Sequence, residues 1–261
     1  MQLKEVVSTL ERFAPLPLQE SYDNAGLQIG LPEGQEVSGV LLCLDVTENV
    51  VEEAARKGCN LIISHHPLLF HSPKSIDDST YVTRCIRKAI VNGIGIYSAH
   101  TNLDNCKGGV NWKIAEKIGM RELDFLQPLP TGNGGSGVIG RLHEEEPSMD
   151  FLKRIKGIFD VDCLMYSQGA QKTISRIAIC GGAGDFLIDK AAKEKADIFI
   201  TGEIGYHYYF GREKTLWLAS LGHYQSERFT IDLMAEILSA QLPELRLMKT
   251  DINTNPIIAL K

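Results

Sequence analysis

This chain of 261 residues has few of the features that would mark a membrane, disulfide-scaffold or nucleic-acid protein. No apolar run approaches the roughly 20 residues that a bilayer-spanning helix needs. None of the six cysteines, at 43, 59, 85, 106, 163 and 180, forms a CxxC pair. Cys43, Cys59 and Cys180 lie in or beside apolar segments, so buried reduced thiols and a cytoplasmic address are expected. Long basic runs and zinc-finger spacings are also missing. The formal net charge is −6 and the basic residues are dispersed, which argues against a nucleic-acid partner. The opening "MQLKEVVSTLERF" is amphipathic with acidic residues, unlike a signal peptide. Histidine is scarce as well, with seven in all, so their placement is informative.

What is present is the composition of a globular α/β chain: 44% hydrophobic and 23% charged residues, enough for a substantial core. "GVLLCLD" at 39–45 reads as a buried strand, short, apolar and followed by polar residues. "TENVVEEAARKG" reads as a helix with Thr47 or Glu48 near its start and Gly58 as its stop. "CNLIISHH" gives a second strand, "STYVTRCIRKAIVNG" a helix and "IGIYSAH" a third strand. Such alternation implies crossover units on a largely parallel sheet.

The same order recurs 137 positions later in "RIAICGG", "DFLIDKAAKEKA" and "DIFITGE". Cys43 aligns with Cys180, Ala54-Ala55 with Ala191-Ala192, and Leu61-Ile62-Ile63 with Ile198-Phe199-Ile200. Ser64 falls on Thr201 and His66 on Glu203. Further on the offset shortens to 123, bringing His100 onto His223 and Asp104 onto Glu227. We therefore expect two similar α/β domains from an internal duplication, 1–128 and 129–261, whose polar strand ends face a shared cleft. "PLPTGNGGSG" at 128–137 is the linker or turn between them.

Imidazole and carboxylate together suit Zn, Mn, Fe, Co or Ni. His65 and His66 end a strand, where Pro67 restricts His66 toward an extended conformation. "HTNLD" and "HYQSE" each set a carboxylate four residues after a histidine. Residues at that spacing share one helix face, so His223 and Glu227 can reach one site. His100 is expected either to ligate or to orient and transfer a proton, and Glu203 to act as a proton acceptor or donor. His207 is divided between aromatic packing and the site. Asn24 is divided between turn formation and substrate contact. The glycines of "CGGAGDFL" either form a tight turn or offer backbone donors to a phosphate, although neither a Walker A sequence nor a complete GxGxxG is present.

The blocks "YDNAGLQIG", "SHHPLLF", "AHTNLD", "GGVN", "ITGEIGYHYYF" and "GHYQSE" span nearly the whole chain. Their combination resembles the Ngg-interacting-factor-like family, also called the GTP cyclohydrolase type 2 homologue family. Tyr22 stands where that family commonly has Trp. The resemblance implies a dinuclear metal centre with His65, His66, Asp104, His223 and Glu227 as ligands. Glu227 would bridge, His65 and His223 would serve one ion, and His66 and Asp104 the other. It also implies a toroidal homohexamer and a metal-dependent hydrolase acting on a nucleotide or another small molecule. The rival class is a metal-dependent structural or regulatory interaction protein without turnover.

Overall fold

The computed structural model describes residues 1–130 and 132–260. In chain order the strands are β1 (Gly26–Ile29), β2 (Val40–Cys43), β3 (Leu61–Ser64), β4 (Gly95–Ser98), β5 (Arg121–Pro128) and β6 (Gly135–Pro147). They continue with β7 (Met165–Ser167), β8 (Thr173–Cys180), β9 (Ile198–Thr201), β10 (Trp217–Ser220) and β11 (Leu247–Lys249). The helices are α1 (Leu3–Phe13), α2 (Glu48–Arg56), α3 (Tyr81–Val91), α4 (Thr101–Asp104) and α5 (Val110–Ile118). After them come α6 (Ser148–Ile158), α7 (Ile188–Lys193), α8 (His223–Glu227) and α9 (Thr230–Gln241).

The described chain divides into two compact units. One comprises Met1–Leu103 with Thr230–Pro256, the other Asp104–Phe229 with the tail from Ile257. This division follows packing, not a single cut. The segment near residue 128 is the turn of a hairpin, since Pro128 pairs with Gly135 across it. The helical rhythm of "HYQSERFTIDLMAEIL" breaks between α8 and α9, and α9 returns to pack with α1 and β2. The chain re-enters the first unit at that break.

In the first unit the strand order is β1-β4-β3-β2-β11. The strands from β4 to β11 run parallel, and β1 pairs antiparallel on β4. Every residue of β2, β3 and β4 is buried, as expected of parallel strands covered on both faces. On one face α2 and α3 bury Val50, Val51, Ala54, Ile86 and Ala89 against Leu41, Ile62 and Ile96. Thr47 caps α2, its hydroxyl accepting from Val50 N at 3.3 Å. Thr47→Ala should cost about 1 kcal/mol in urea denaturation, the usual cost of losing such a cap.

In the second unit the order is β5-β6-β8-β9-β10-β7, with β8, β9 and β10 parallel and the outer strands antiparallel. This sheet is mixed, not largely parallel, because the long β5–β6 hairpin extends one side. The core under α7 gathers Ile188, Ala191, Phe199, Leu218 and Ala178. Strands β8-β9-β10-β7 share the order and sense of β2-β3-β4-β1. All six cysteines are free thiols. Among the described residues, no helix is long and apolar enough to cross a membrane.

Candidate metal centre

Three neighbouring parallel strands of the first unit end in polar residues: Asp45 after β2, His65 and His66 after β3, and His100 after β4. The C-terminal edge of a parallel sheet is where such folds place their sites. The ladder continues past the last strand residues, with His65 N donating to Cys43 O at 3.2 Å and His66 N to Leu44 O at 2.9 Å. Ser64 Oγ donates to His66 O at 2.8 Å. The turn carrying both histidines is therefore fixed by backbone bonds as well as by Pro67.

The three imidazoles form one cluster. Ring centroids stand 4.9 Å apart for His65–His66, 5.2 Å for His65–His100 and 5.4 Å for His66–His100. One ligand atom from each lies within 4.8 Å of the others. Each ring is also held from behind. His65 Nδ1 donates to Ala99 O at 2.8 Å, His66 Nδ1 to Asp45 Oδ1 at 2.7 Å and His100 Nδ1 to Asp23 Oδ1 at 2.7 Å. Carbonyl and carboxylate oxygens only accept here, so each Nδ1 carries a proton and Nε2 is the ring atom left to face a metal ion. That arrangement of Nδ1-anchored imidazoles is the one a divalent metal takes, and the donor set fits such an ion.

Asp23 is the more enclosed of the two acids, its side chain fully buried. Burial opposes its ionisation, yet the His100 hydrogen bond and charge outweigh burial. With bonds from Thr101 and Asn24 N, they hold its carboxyl down at about 2. Asp45 follows the same logic: burial raises its carboxyl, while the bonds from His66 and Thr254 bring it below the ordinary value.

The second unit gathers the remaining expected residues. His223 and Glu227 stand at opposite ends of α8, with Nε2 and Oε2 3.2 Å apart. Glu203, two residues beyond β9, takes His223 Nδ1 on its Oε1 at 3.1 Å. Asp104 closes α4. Burial pushes the Cys180 thiol well up, and the charges of Asp104 and Glu227 push it further. Both carboxylates thus act on one strand end.

The glycine turn after β8 serves this arrangement. Gly181 N donates to Asn111 Oδ1 at 2.9 Å, Gly182 N to Ser226 Oγ at 3.0 Å and Gly184 N to Thr201 Oγ1 at 2.9 Å. The donors that a phosphate would need are already committed, which favours the tight-turn reading. Asn24 likewise has a structural partner, its Nδ2 donating to Leu69 O at 2.7 Å. His207 sits in an exposed aromatic cluster with Tyr206 and Phe210.

A family model described as Duf34/NIF3 (NGG1p interacting factor 3) matches residues 1–256. The chain belongs to the Duf34/NIF3 family. A "GTP cyclohydrolase 1 type 2 homolog" of Clostridium perfringens is 36% identical over 229 residues, 87% of each chain. "NIF3-like protein 1" of Drosophila melanogaster is 32% identical, covering 99% of this chain and 89% of its own. The crystal structure of Staphylococcus aureus protein SA1388 superposes with a TM-score of 0.90 at 27% identity, over 100% of this chain and 99% of that one. Duf34/NIF3 membership bears out the resemblance drawn from the motif blocks.

Sequence reasoning passed over the acids behind the rings. Asp45 closes "LLCLD" as Glu203 closes "IFITGE", and that shared strand-end position was the available signal. Asp23 is the neighbour of Asn24 in "YDNAGL", but 77 residues separate it from His100, so no local pattern joins them.

Proposed function

We propose that this Duf34/NIF3 chain binds two divalent ions through His65, His66, Asp104, His223 and Glu227 and acts as a metal-dependent hydrolase on a small molecule. The observation that carries this reading is the trio of Nδ1-anchored imidazoles. Three rings clustered at ligand distance, each held at Nδ1 by a carbonyl or carboxylate oxygen, are the arrangement metal-binding histidines adopt. A nucleotide is the first substrate to test, because relatives carry the name GTP cyclohydrolase 1 type 2 homolog.

Bound divalent ions lower the pKa of a coordinated water and stabilise charge on a substrate oxygen. The chain's own residues supply the rest. Asp45 and Glu203 fix the tautomers of His66 and His223, so each ring offers Nε2. His100, with its proton on Nδ1, can accept another at Nε2, and the buried Asp23 carboxylate stabilises the resulting cation. Glu203 is the second proton-transfer group, through Oε2.

Metal-free protein reconstituted separately with Mn, Fe, Co and Zn should take up two ions per chain by elemental analysis. It should also turn over at least one of GTP, other nucleotides, phosphoesters or small amides, with activity lost on chelation. Uptake well below one ion per chain would sink the metal assignment. Full loading without turnover of any of these substrates would instead favour the structural or regulatory role.

A further inference from the structure

Thr254 lies far from every motif block, in a segment with no regular secondary structure. Its position follows from the sheet. β11 runs parallel to β2 with Lys249 opposite Leu42, so the chain leaves β11 at the edge where β2 delivers Asp45. Thr250 N continues the ladder to Leu42 O at 2.9 Å. Beyond it, burial alternates as an extended strap requires. Thr250, Ile252 and Thr254 are half-buried, while Asp251 and Asn253 are exposed.

Each inward residue has a holder. Thr250 Oγ1 donates to the buried Glu53 carboxylate, whose other oxygen accepts from Asp251 N at 2.9 Å. Ile252 packs against the core under α2 and α3. Thr254 Oγ1 donates to Asp45 Oδ2 at 2.6 Å, while Asp45 Oδ1 takes His66 Nδ1 at 2.7 Å. Asp45 is thus gripped on both oxygens, by the imidazole on one side and by the strap on the other.

We propose that Thr254 is a positioning residue of the metal centre, and that the strap 250–254 is the element through which the C-terminal segment sets the His66 ring. The proposal rests on the reading of His66 as a ligand. Without the Thr254 hydroxyl, Asp45 loses its second anchor and can rotate about its side-chain bonds. The His66 ring then loses its fixed orientation, although the ligand itself is unchanged. Loss of such an outer partner weakens metal binding about 10–100-fold.

The test uses the full chain loaded with zinc or cobalt(II), in wild type, Thr254→Val and Thr254→Ser. Zinc affinity is read by chelator competition and ligand geometry by the cobalt absorption spectrum. Thermal unfolding of the metal-free proteins checks that all three fold alike. The expected result is zinc binding about tenfold weaker in Thr254→Val with an altered cobalt spectrum. Thr254→Ser, which keeps the hydroxyl, should restore both. Wild-type affinity in Thr254→Val would overturn the proposal. So would a Thr254→Ser protein as weak as Thr254→Val, because the methyl group, not the hydroxyl, would then carry the effect. If wild type itself bound neither metal, the ligand assignment would fall and this role with it.

Discussion

Gly182→Ala should lower zinc affinity about 100-fold, the upper end of what losing an orienting partner costs, because it drives the Glu227 carboxylate from its place and crowds His223. Gly182 has φ +62°, a left-handed conformation that costs an L-residue roughly 1–2 kcal/mol. The steric conflict falls on the proposed ligands themselves. A Cβ on Gly182 would overlap Glu227 Oε1 and stand 3.3 Å from His223 Nε2. Nor can the turn retreat. Gly182 O accepts from Gly202 N at 2.8 Å, Glu203 N at 3.0 Å and Thr201 Oγ1 at 3.0 Å, and its own N donates to Ser226. The side chains must therefore give way, and both belong to the proposed ligand set. Gly157 in α6 is the control, since a Cβ there meets nothing within 4 Å. Gly157→Ala should keep full zinc affinity and gain up to about 1 kcal/mol of helix stability. Chelator competition on the two folded variants checks this. A Gly182→Ala protein that folds and binds zinc like wild type would remove the steric argument.

Gly182 also illustrates where sequence reading stops. The repeat brought Cys43 onto Cys180 and so placed "CGG" at a strand end, but a glycine pattern does not say what occupies the space it leaves. The parallel strands were legible because runs such as "LLC" and "LII" have the length of a buried strand, too short for a helix, and are bounded by polar and turn residues. His223 and Glu227 were legible because helical spacing alone puts them on one face. Asp23, Asp45 and Thr254 were not, because their partners are 77, 21 and 209 residues away. Those bonds exist only once the sheet has set β2, β3, β4 and β11 side by side. The unit division was hidden for the same reason. Return of α9 and β11 to the first sheet is decided by packing, and "TIDLMAEIL" would be equally helical in either unit.

Glu53→Ala should destabilise the protein by about 3 kcal/mol, the low end of what removing one partner of a buried ion pair costs. The Glu53 side chain is fully buried in α2 and bonds Lys57 Nζ at 2.6 Å, Asp251 N at 2.9 Å and the Thr250 hydroxyl. Deleting it strands the Asp251 N–H and the Thr250 hydroxyl, and leaves Lys57 Nζ with only Asp251 Oδ2, at 2.7 Å, and the Lys249 carbonyl. Burial alone would raise its carboxyl, but the bonds from Lys57, Thr250 and Asp251 N outweigh burial and hold it below the ordinary glutamate value. The folded group is therefore the stronger acid. Its contribution is complete above the unfolded value of about 4.3 and fades as pH falls through the lower folded value. Wild type should accordingly exceed Glu53→Gln in urea denaturation at neutral pH, with the gap closing on acidification below about pH 4. A gap that persisted in acid would mean that shape, not charge, holds the strap. Glu53→Ala also bears on the metal centre. Glu53 anchors the strap at Thr250 and Asp251, upstream of Thr254, so Glu53→Ala should already loosen the hold on Asp45. Adding Thr254→Val to Glu53→Ala should then weaken zinc binding less than it does in wild type. Such non-additivity is the signature of two residues acting through one element, and fully additive losses would show that they act separately.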